Sequence, residues 1–563
     1  MLLDDLLPFA LWAVVAALAA LPLLHARTIA SLSGSRPRLK YELAFLGVIF
    51  LGLFCSRYHI LVYPHELNID ESQFIAQAHG YTRTWVPFSQ DGHTCGPLNY
   101  YILIWPAALG LPITYFTIRL TGFVFILLTL FYARRAVALI TGNRPSYLLT
   151  LPLVSFYLFA YQNGFVHYSS EHFPDMLLAF CIWQLAKYWR LDRANFFLLG
   201  AILGATPFTK LQASPLAVYL FAVAVGLIVY HGPRRATGSW IKSLVLLALG
   251  GAVFPLIIVV PLLATGTLGD AIHRYIIIPS QYGAGVMTTE LIPLPNLVLR
   301  LAEDGPQATI YFLDMMAVAV VILSLWAWRE KIQRPWLAGL ALAAIYLVLT
   351  IYAVLKPDLP YAHYLMFLPQ PVLFLLAWIF RGYRLHRPTS LQKNVFAITC
   401  ALVAISFFSL PVYLFMQHRL PHLHDPAYAK EPMVDPVSAY IKTVATPKDF
   451  MANWGYTTKY YVETDIPPGV RDFATLYEPF PNPSYDYYRD GFLDDLKKNK
   501  PKVIVDSIGE SYLQTWPRPI EKARATYWKP LADYLAANYQ PPVEITATPG
   551  NPPVLVYVRR ADK

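Results

Sequence analysis

The stretch HGPRRATGSWIKSLVLLALGGAVFPLIIVVPLLA, residues 231–264, decides the fold class of this chain. Its second part, residues 243–264, contains no charged residue and is long enough to cross the ~30 Å hydrocarbon core of a bilayer as an α-helix. Its first part contains Arg234, Arg235 and Lys242, and such a basic flank is typical of a cytoplasmic loop. The stretch therefore predicts a membrane-spanning helix and its direction.

The same pattern recurs along most of the chain. Of its 563 residues 56% are hydrophobic and 14% are charged, whereas soluble domains carry roughly 25% charged residues. This composition excludes a disordered, collagen-like or disulfide-rich protein and predicts a polytopic α-helical membrane protein with juxtamembrane helices. We expect about twelve spans of sufficient length, at 6–24, 43–62, 115–133, 146–162, 173–189, 196–207, 211–230, 241–264, 310–328, 336–355, 362–380 and 394–415.

Basic residues mark every second connection between these spans. Six short loops hold 20 of the 27 Lys and Arg of residues 1–416, with only two acids, so these loops are predicted to be cytoplasmic. Membrane insertion explains the net charge of +10 better than nucleic acid does, and we expect no nucleic-acid partner. Both termini and the connections 63–114 and 265–309 then lie outside.

The chain is predicted to have two domains, a transmembrane domain over 1–416 and an α/β domain over 417–563. The second region carries 18 basic and 18 acidic residues and faces the outside by the alternation of the loops. Its strand candidates are Asp449–Asn453, Lys502–Asp506 and Val554–Val558, and its helix candidates are Val437–Val444, Gly491–Lys498 and Tyr527–Asn538.

The first outer loop contains the sequence Asn68-Ile69-Asp70-Glu71-Ser72. A carboxylate near an apolar surface can have a raised pKa and act as a general base. The same residues also suit the start of a helix, with Asn68 as the cap and the two acids at the positive end of the dipole. Both interpretations remain open, and they are compatible.

Two further outer segments carry candidate acceptor or accessory residues. His93 and Tyr100 lie in HTCGPLNYY, residues 93–101, which precedes an interfacial apolar stretch. The turn HYSSEHFPD, residues 167–175, contains His167, Glu171, His172 and Asp175. Ionisable groups at a membrane boundary are functional candidates, although Asp175 also suits a helix start. The histidine spacing does not match a standard metal site, so a divalent metal is conceivable but not indicated, and no cofactor is predicted.

Cations at outer positions oppose the charge pattern and therefore need a reason. A lysine or arginine there either holds an anionic phosphate headgroup or extends its charged end to water. The neighbouring aromatics either assist this binding or form an interfacial belt. The candidates are Lys210, Arg274, Tyr275, Lys356, Tyr361, His363 and Tyr364.

The order of these motifs resembles the bacterial branch of the glycosyltransferase C superfamily, in particular the protein O-mannosyltransferase-like enzymes and the lipid A aminoarabinose transferases. The resemblance covers most of residues 43–415. It rests on the Asp-Glu loop, the GPLNYY segment before Arg119-Leu120, the helix start Pro174–Phe180, and Gly200, Gly204 and Phe208-Thr209-Lys210. The polar C-terminal region also resembles the periplasmic domain of many members.

The resemblance implies transfer of a sugar from a polyprenyl-phosphate carrier to a lipid, glycan or protein acceptor at the periplasmic face of a bacterial inner membrane. Asp70, with Glu71 beside it, maps to the family's first catalytic acid, and Asp175 maps to its second. Lys210 matches the family's Thr-Lys lysine. Arg274 and the segment Tyr361–Tyr364 match the phosphate and carrier contacts by position only.

The sequence departs from the family where a common Lys-Pro-Pro-Leu is replaced by Cys95-Gly96-Pro97-Leu98, and the span 6–24 is an addition.

Two other classes of protein remain as alternatives. A membrane glycan ligase or polymerase would not need Asp70. A transporter would place charged or broken helices at the bilayer midplane, whereas the ionisable groups here gather at the outer boundary.

Overall fold

The computed structural model of the chain is mainly helical, with one small sheet near the C-terminus. It describes residues 2–24, 39–83, 86–88, 95–160, 163–231, 239–282, 334–357, 361–385, 434–475, 478–479, 483–508, 528–548 and 550–561.

The chain divides into two compact units, each built from three segments. The first, which we call the helical unit, comprises Met1–Val62, Leu120–Pro255 and Ile292–Ala429. The second, the mixed unit, comprises Tyr63–Arg119, Leu256–Leu291 and Lys430–Lys563. The predicted boundary between 416 and 417 lies outside the described residues and stays a prediction.

Six helices in the described part of the chain are long and apolar enough to cross a membrane, judged by length and composition. They are Lys40–Val62, Tyr115–Thr141, Leu211–His231, Trp240–Thr265, Pro335–Leu355 and His363–Gly382. The apolar segments Leu7–Ala19 and Phe196–Phe208 are shorter. The remaining helices of the helical unit are Leu2–Leu24, Asn143–Leu149, Leu151–Phe159, Asn163–Val166, His172–Leu191 and Phe196–Ala205.

These helices agree with much of the predicted span pattern. The six long helices coincide with six of the predicted spans. The predicted span 146–162 is divided into helices Asn143–Leu149 and Leu151–Phe159, next to Pro152, whose ring and missing N–H disturb an α-helix. The predicted spans 310–328 and 394–415 lie outside the described residues, so the total of about twelve stays a prediction.

Glycines bring two helices of the helical unit into backbone contact. Gly200 and Gly204 lie four residues apart in helix Phe196–Ala205. A Cβ at either position would collide with the carbonyl oxygen of Leu247 or Gly251 in helix Ser239–Thr265. Small residues four apart allow membrane helices to approach this closely. The contact positions the chain immediately before Lys210.

The mixed unit contains a four-stranded sheet. Its strands are β1 (Met451–Trp454), β2 (Val503–Asp506), β3 (Val543–Ile545) and β4 (Val554–Val558), in the spatial order β1-β2-β4-β3. β1 and β2 are parallel, with Ala452 opposite Ile504, and the other two pairs are antiparallel. The α-helices of this unit are Ile69–Tyr81, Pro97–Tyr101, Trp105–Ala108, Leu268–Ile272, Ile278–Tyr282, Pro436–Val444, Lys459–Thr464, Tyr485–Asn499 and Lys529–Asn538. A π-helix covers His273–Ile277.

Both faces of this sheet are covered. Val503 and Val505 pack with the helix Pro436–Val444 on one face, while Ile504 packs with the helices Tyr485–Asn499 and Lys529–Asn538 on the other. A central strand that is buried on both faces needs a continuous apolar run, which explains the sequence Val503-Ile504-Val505. β1, β2 and β4 lie within two residues of the three predicted strands, and β3 is an additional strand.

Candidate active site

Asn68 starts the helix that carries the first pair of candidate acids. Its side-chain oxygen accepts a hydrogen bond from the backbone N–H of Asp70 at 3.0 Å, and Asn68 is in an extended conformation. The helix Ile69–Tyr81 therefore begins with the predicted cap. Asp70 and Glu71 both lie in its first turn, where the helix dipole favours negative charge.

The two adjacent acids have different surroundings. Glu71 is fully buried, and its carboxylate accepts hydrogen bonds from Arg119 Nε at 2.8 Å and Arg119 Nη2 at 2.6 Å. Arg119 also donates to the carbonyl oxygens of Tyr63 and His65, each at 2.6 Å. Asp70 is half-buried, and in the described part of the chain its carboxylate has no hydrogen-bond or ion-pair partner. Glu71 thus fixes the loop to the helix, while Asp70 stays available.

A third carboxylate, absent from the predicted site residues, lies beside this pair. Glu66 accepts a hydrogen bond from the Ser72 hydroxyl, and this hydroxyl is 2.8 Å from that of Tyr115. Burial raises the pKa of Glu66 to about 7, although the bond from Ser72 opposes the shift. A free carboxyl and a neighbouring protonatable one therefore occur within one short segment of the mixed unit.

In the helical unit, Lys210 lies between two short 3₁₀ turns, Thr206–Phe208 and Leu211–Ala213. Its ammonium group forms an ion pair with Glu171 and donates to the Ser170 hydroxyl at 2.7 Å. Glu171 is fully buried and also accepts from the hydroxyls of Ser169 and Ser170. We call these four residues the Lys210 cluster.

The charge of this cluster is balanced within the helical unit. Burial alone would raise the pKa of Glu171, but Lys210, His363 and the hydrogen bonds outweigh it and lower that pKa to about 2. The ring of Tyr364 lies 4.7 Å from Lys210 Nζ, a cation–π distance. His363 in turn packs against Tyr364, with 4.8 Å between ring centroids. The fold therefore brings together three distant segments of the sequence, which contain Glu171, Lys210, and the pair His363 and Tyr364.

The histidines of the turn 167–175 also belong to this neighbourhood. His172 is buried, and its Nδ1 accepts a hydrogen bond from the backbone N–H of Ser169 at 3.1 Å. The His167 ring lies 6.0 Å from that of His363. Among the described residues, no group of three or more His, Cys, Asp or Glu could hold a metal ion.

Asp175 lies in the first turn of the helix His172–Leu191 and is buried. Its carboxylate accepts a hydrogen bond from the Tyr157 hydroxyl at 3.4 Å. The Tyr157 carbonyl in turn accepts from Arg57 Nη2 at 3.1 Å. Arg57 is a buried cation inside the predicted span 43–62, and this ionisable residue in an apolar run was a signal that the sequence analysis did not use.

Arg274 is engaged by the polar C-terminal region. Its guanidinium donates to both carboxylate oxygens of Asp472, at 2.5 and 3.1 Å, and to the Tyr487 hydroxyl at 3.1 Å. Asp472 and the nearby tyrosines raise the pKa of Arg274 although burial opposes the shift. An arginine held in this bidentate way has few donors left for a phosphate. Asp472 was not foreseen, because it is 198 residues away in the sequence.

The other predicted site residues are more scattered. In the mixed unit, Tyr275 is buried near Phe88, and Tyr100 is buried between Phe74 and Tyr81. In the helical unit, Lys356 and Tyr361 are exposed. His93 lies outside the described residues.

The long apolar helices define a multi-pass membrane protein, and the chain shares its fold with a solved structure. The chain is similar to ArnT from Cupriavidus metallidurans, whose crystal structure was determined bound to undecaprenyl phosphate. The TM-score is 0.51 at 15% identity, and the likeness covers 93% of this chain and 98% of that one.

Two crystal structures of the Archaeoglobus fulgidus oligosaccharyltransferase are also similar. One has a tethered acceptor peptide (TM-score 0.42, 10% identity, 93% of this chain and 74% of that chain), and the other is a complex with Zn and sulfate (0.41, 12%, 92% and 73%). No protein-family model matches the chain, and no curated protein sequence matches it.

Proposed function

We propose that this protein is an integral-membrane glycosyltransferase that moves a sugar from a polyprenyl-phosphate-linked donor to a lipid, glycan or protein acceptor. The reaction takes place at the periplasmic face of a bacterial inner membrane, within a transmembrane domain over 1–416 that is followed by a periplasmic α/β domain over 417–563. The whole-chain fold likeness to a protein solved with undecaprenyl phosphate supports the donor class.

The contrast between Asp70 and Glu71 carries this proposal. A general base must reach the substrate with an available carboxylate, and a buried carboxylate in a bidentate ion pair cannot. Asp70 has an available carboxylate, whereas the carboxylate of Glu71 is buried in an ion pair with Arg119. Asp70 therefore accepts the proton of the acceptor hydroxyl, and Glu71 positions the helix turn that presents Asp70.

In the proposed step the acceptor oxygen forms a bond to the anomeric carbon as the bond from that carbon to the carrier phosphate breaks. The proton moves to Asp70, and polyprenyl phosphate leaves with the electron pair. A displacement of this kind inverts the anomeric centre and needs one essential carboxylate. Cations that hold the developing charge accelerate it.

Lys210 is the cation that we assign to the phosphate, with His363 and Tyr364 beside it. Because Lys210 is paired with Glu171, a phosphate oxygen would compete with that carboxylate for the ammonium group. Arg274, Tyr275, Lys356 and Tyr361 remain candidate carrier contacts, and Asp175 remains a candidate second acid. His93, Tyr100, His167 and His172 remain accessory candidates.

The test uses the purified full-length protein and a panel of undecaprenyl-phosphate-linked sugars, with a lipid extract as acceptor. Release of undecaprenyl phosphate is the readout. We expect Asp70→Asn to lower the rate by about 10²–10⁴-fold, the usual contribution of general-base catalysis. Glu544→Gln, an equivalent change at an exposed strand residue, should leave the rate unchanged.

The same assay distinguishes the alternatives. Full release with Asp70→Asn would contradict the assigned mechanism. Transfer of whole lipid-linked glycans with that variant would favour a ligase or polymerase. If no donor of the panel is cleaved, uptake of labelled lipid-phosphate sugars into vesicles tests for a transporter.

A further inference from the structure

An open-sided cavity lies among five helices of the helical unit. Its lining comes from the last turn of the helix with Ile140 and from longer stretches of the helices that contain Arg190, Leu227, Gly339 and Trp378. One end of the cavity lies where these helices adjoin the basic loops.

The lining is apolar except at one point. Fifteen of the sixteen lining residues are uncharged, and Arg190 is the one charged member. The Tyr219 hydroxyl turns its polar end away by donating to the Leu342 carbonyl at 2.7 Å, so that its ring serves as wall. This ring stacks on that of Tyr346, with 6.2 Å between the ring centroids. A cavity with such walls fits a hydrocarbon chain better than a polar metabolite.

Arg190 supplies a positive charge at the edge of this cavity. It is exposed in the last turn of the helix His172–Leu191, and in the described part of the chain it forms no ion pair or hydrogen bond through its side chain. Trp189 and Trp378 also line the cavity, and their ring centroids are 5.5 Å apart. Indole rings favour the headgroup level of a bilayer, so cation and indoles occupy the height at which a lipid phosphate would be found.

We propose that this cavity binds an anionic glycerophospholipid of the surrounding membrane. One acyl chain occupies the space between Tyr219, Tyr346 and Phe374, and the phosphate is held by Arg190. Basic pockets between membrane helices on the side of the basic loops select anionic headgroups. None of its lining residues belongs to the Lys210 cluster, and the site does not depend on the proposed reaction.

The test uses the purified, delipidated full-length protein in detergent. Palmitoyl-oleoyl phosphatidylglycerol and the phosphatidylcholine with the same chains are added in turn, and the bound lipid is counted by native mass spectrometry. We expect about fivefold tighter binding of phosphatidylglycerol, the effect of one basic residue near a lipid phosphate. Arg190→Gln should remove this preference, whereas Arg193→Gln, a control at an exposed arginine in the adjoining loop, should retain it.

The chain-binding part is tested separately. A phosphatidylglycerol with a photoreactive acyl chain should crosslink to Tyr219 or Phe374, and Ala343→Leu, which fills the cavity, should abolish the crosslink. The soluble headgroup glycerophosphoglycerol should not bind. Equal binding of both lipids, an unchanged preference in Arg190→Gln, binding of the headgroup alone, or crosslinks outside the cavity would each overturn the proposal.

Discussion

Replacement of Glu71 by glutamine tests the role that the structure gives this residue. The variant keeps the size of the side chain but removes its charge, so the guanidinium of Arg119 loses its ionised partner and keeps neutral acceptors, among them the carbonyl oxygens of Tyr63 and His65. The side chains of Glu71 and Arg119 are 0% and 1% exposed, respectively. Because water cannot compensate the buried cation, we expect a loss of about 3–5 kcal/mol, as found for other broken buried ion pairs.

Thermal unfolding of the purified protein in detergent measures this loss. With roughly 2–4 °C of Tm per kcal/mol in a unit of about 150–250 residues, the midpoint should fall by about 10 °C. Glu71→Gln combined with Arg119→Met should recover much of the loss, since no unpaired charge remains. A midpoint within about 2 °C of the wild type, or single effects that simply add in the double variant, would refute the assignment of Glu71 as the partner that holds this loop.

Three further predictions concern other parts of the chain. Because the pKa of Glu171 is lowered from 4.5 to about 2, its ion pair stabilises the protein above pH 4.5, and this stability should be lost as the pH falls towards 2; Glu171→Gln should flatten that part of a plot of Tm against pH, and an unchanged slope would contradict the pairing. Gly204→Ala should cost about 1–3 kcal/mol by overpacking against the Gly251 carbonyl, whereas the same change at Gly226, which has open space around it, should not destabilise; equal Tm values would exclude the backbone contact. A cysteine at Asn551, in a chain without its native cysteines, should react with an impermeant maleimide added from the periplasmic side, and labelling from the cytoplasmic side alone would reverse the proposed topology.

The membrane helices and the strands of the polar region were accessible from the sequence because their signals are local. Apolar length predicts a span, and the run Val503-Ile504-Val505 predicts a buried strand. β3, by contrast, has only three residues, of which Val543 and Glu544 are exposed, so no burial pattern marks it.

The candidate site was predictable residue by residue but not as an arrangement. Glu171, Lys210 and His363 were each identified by their type and position, yet their contact depends on long-range packing that no spacing rule gives. Arg274 was likewise predicted as a phosphate contact from its type and position. Its bidentate partner Asp472 could not be predicted, because the two residues are far apart in the sequence. Asp70 and Glu71 were treated as a pair because they are adjacent, and only the fold separates their surroundings.

The different surroundings of these two acids follow from the angle between consecutive helical residues, which is about 100°. Whether Asp70 or Glu71 faces Arg119 depends on where the first turn of the helix begins. The hydrogen bond between Asn68 and the Asp70 backbone, 3.0 Å long, sets that starting point. A helix that started one residue earlier or later would rotate the same dipeptide by this angle and change which carboxylate meets the arginine. Which of the two acids is paired and which stays available is thus determined by the residue at which one helix begins, and the Asn68 cap fixes that residue.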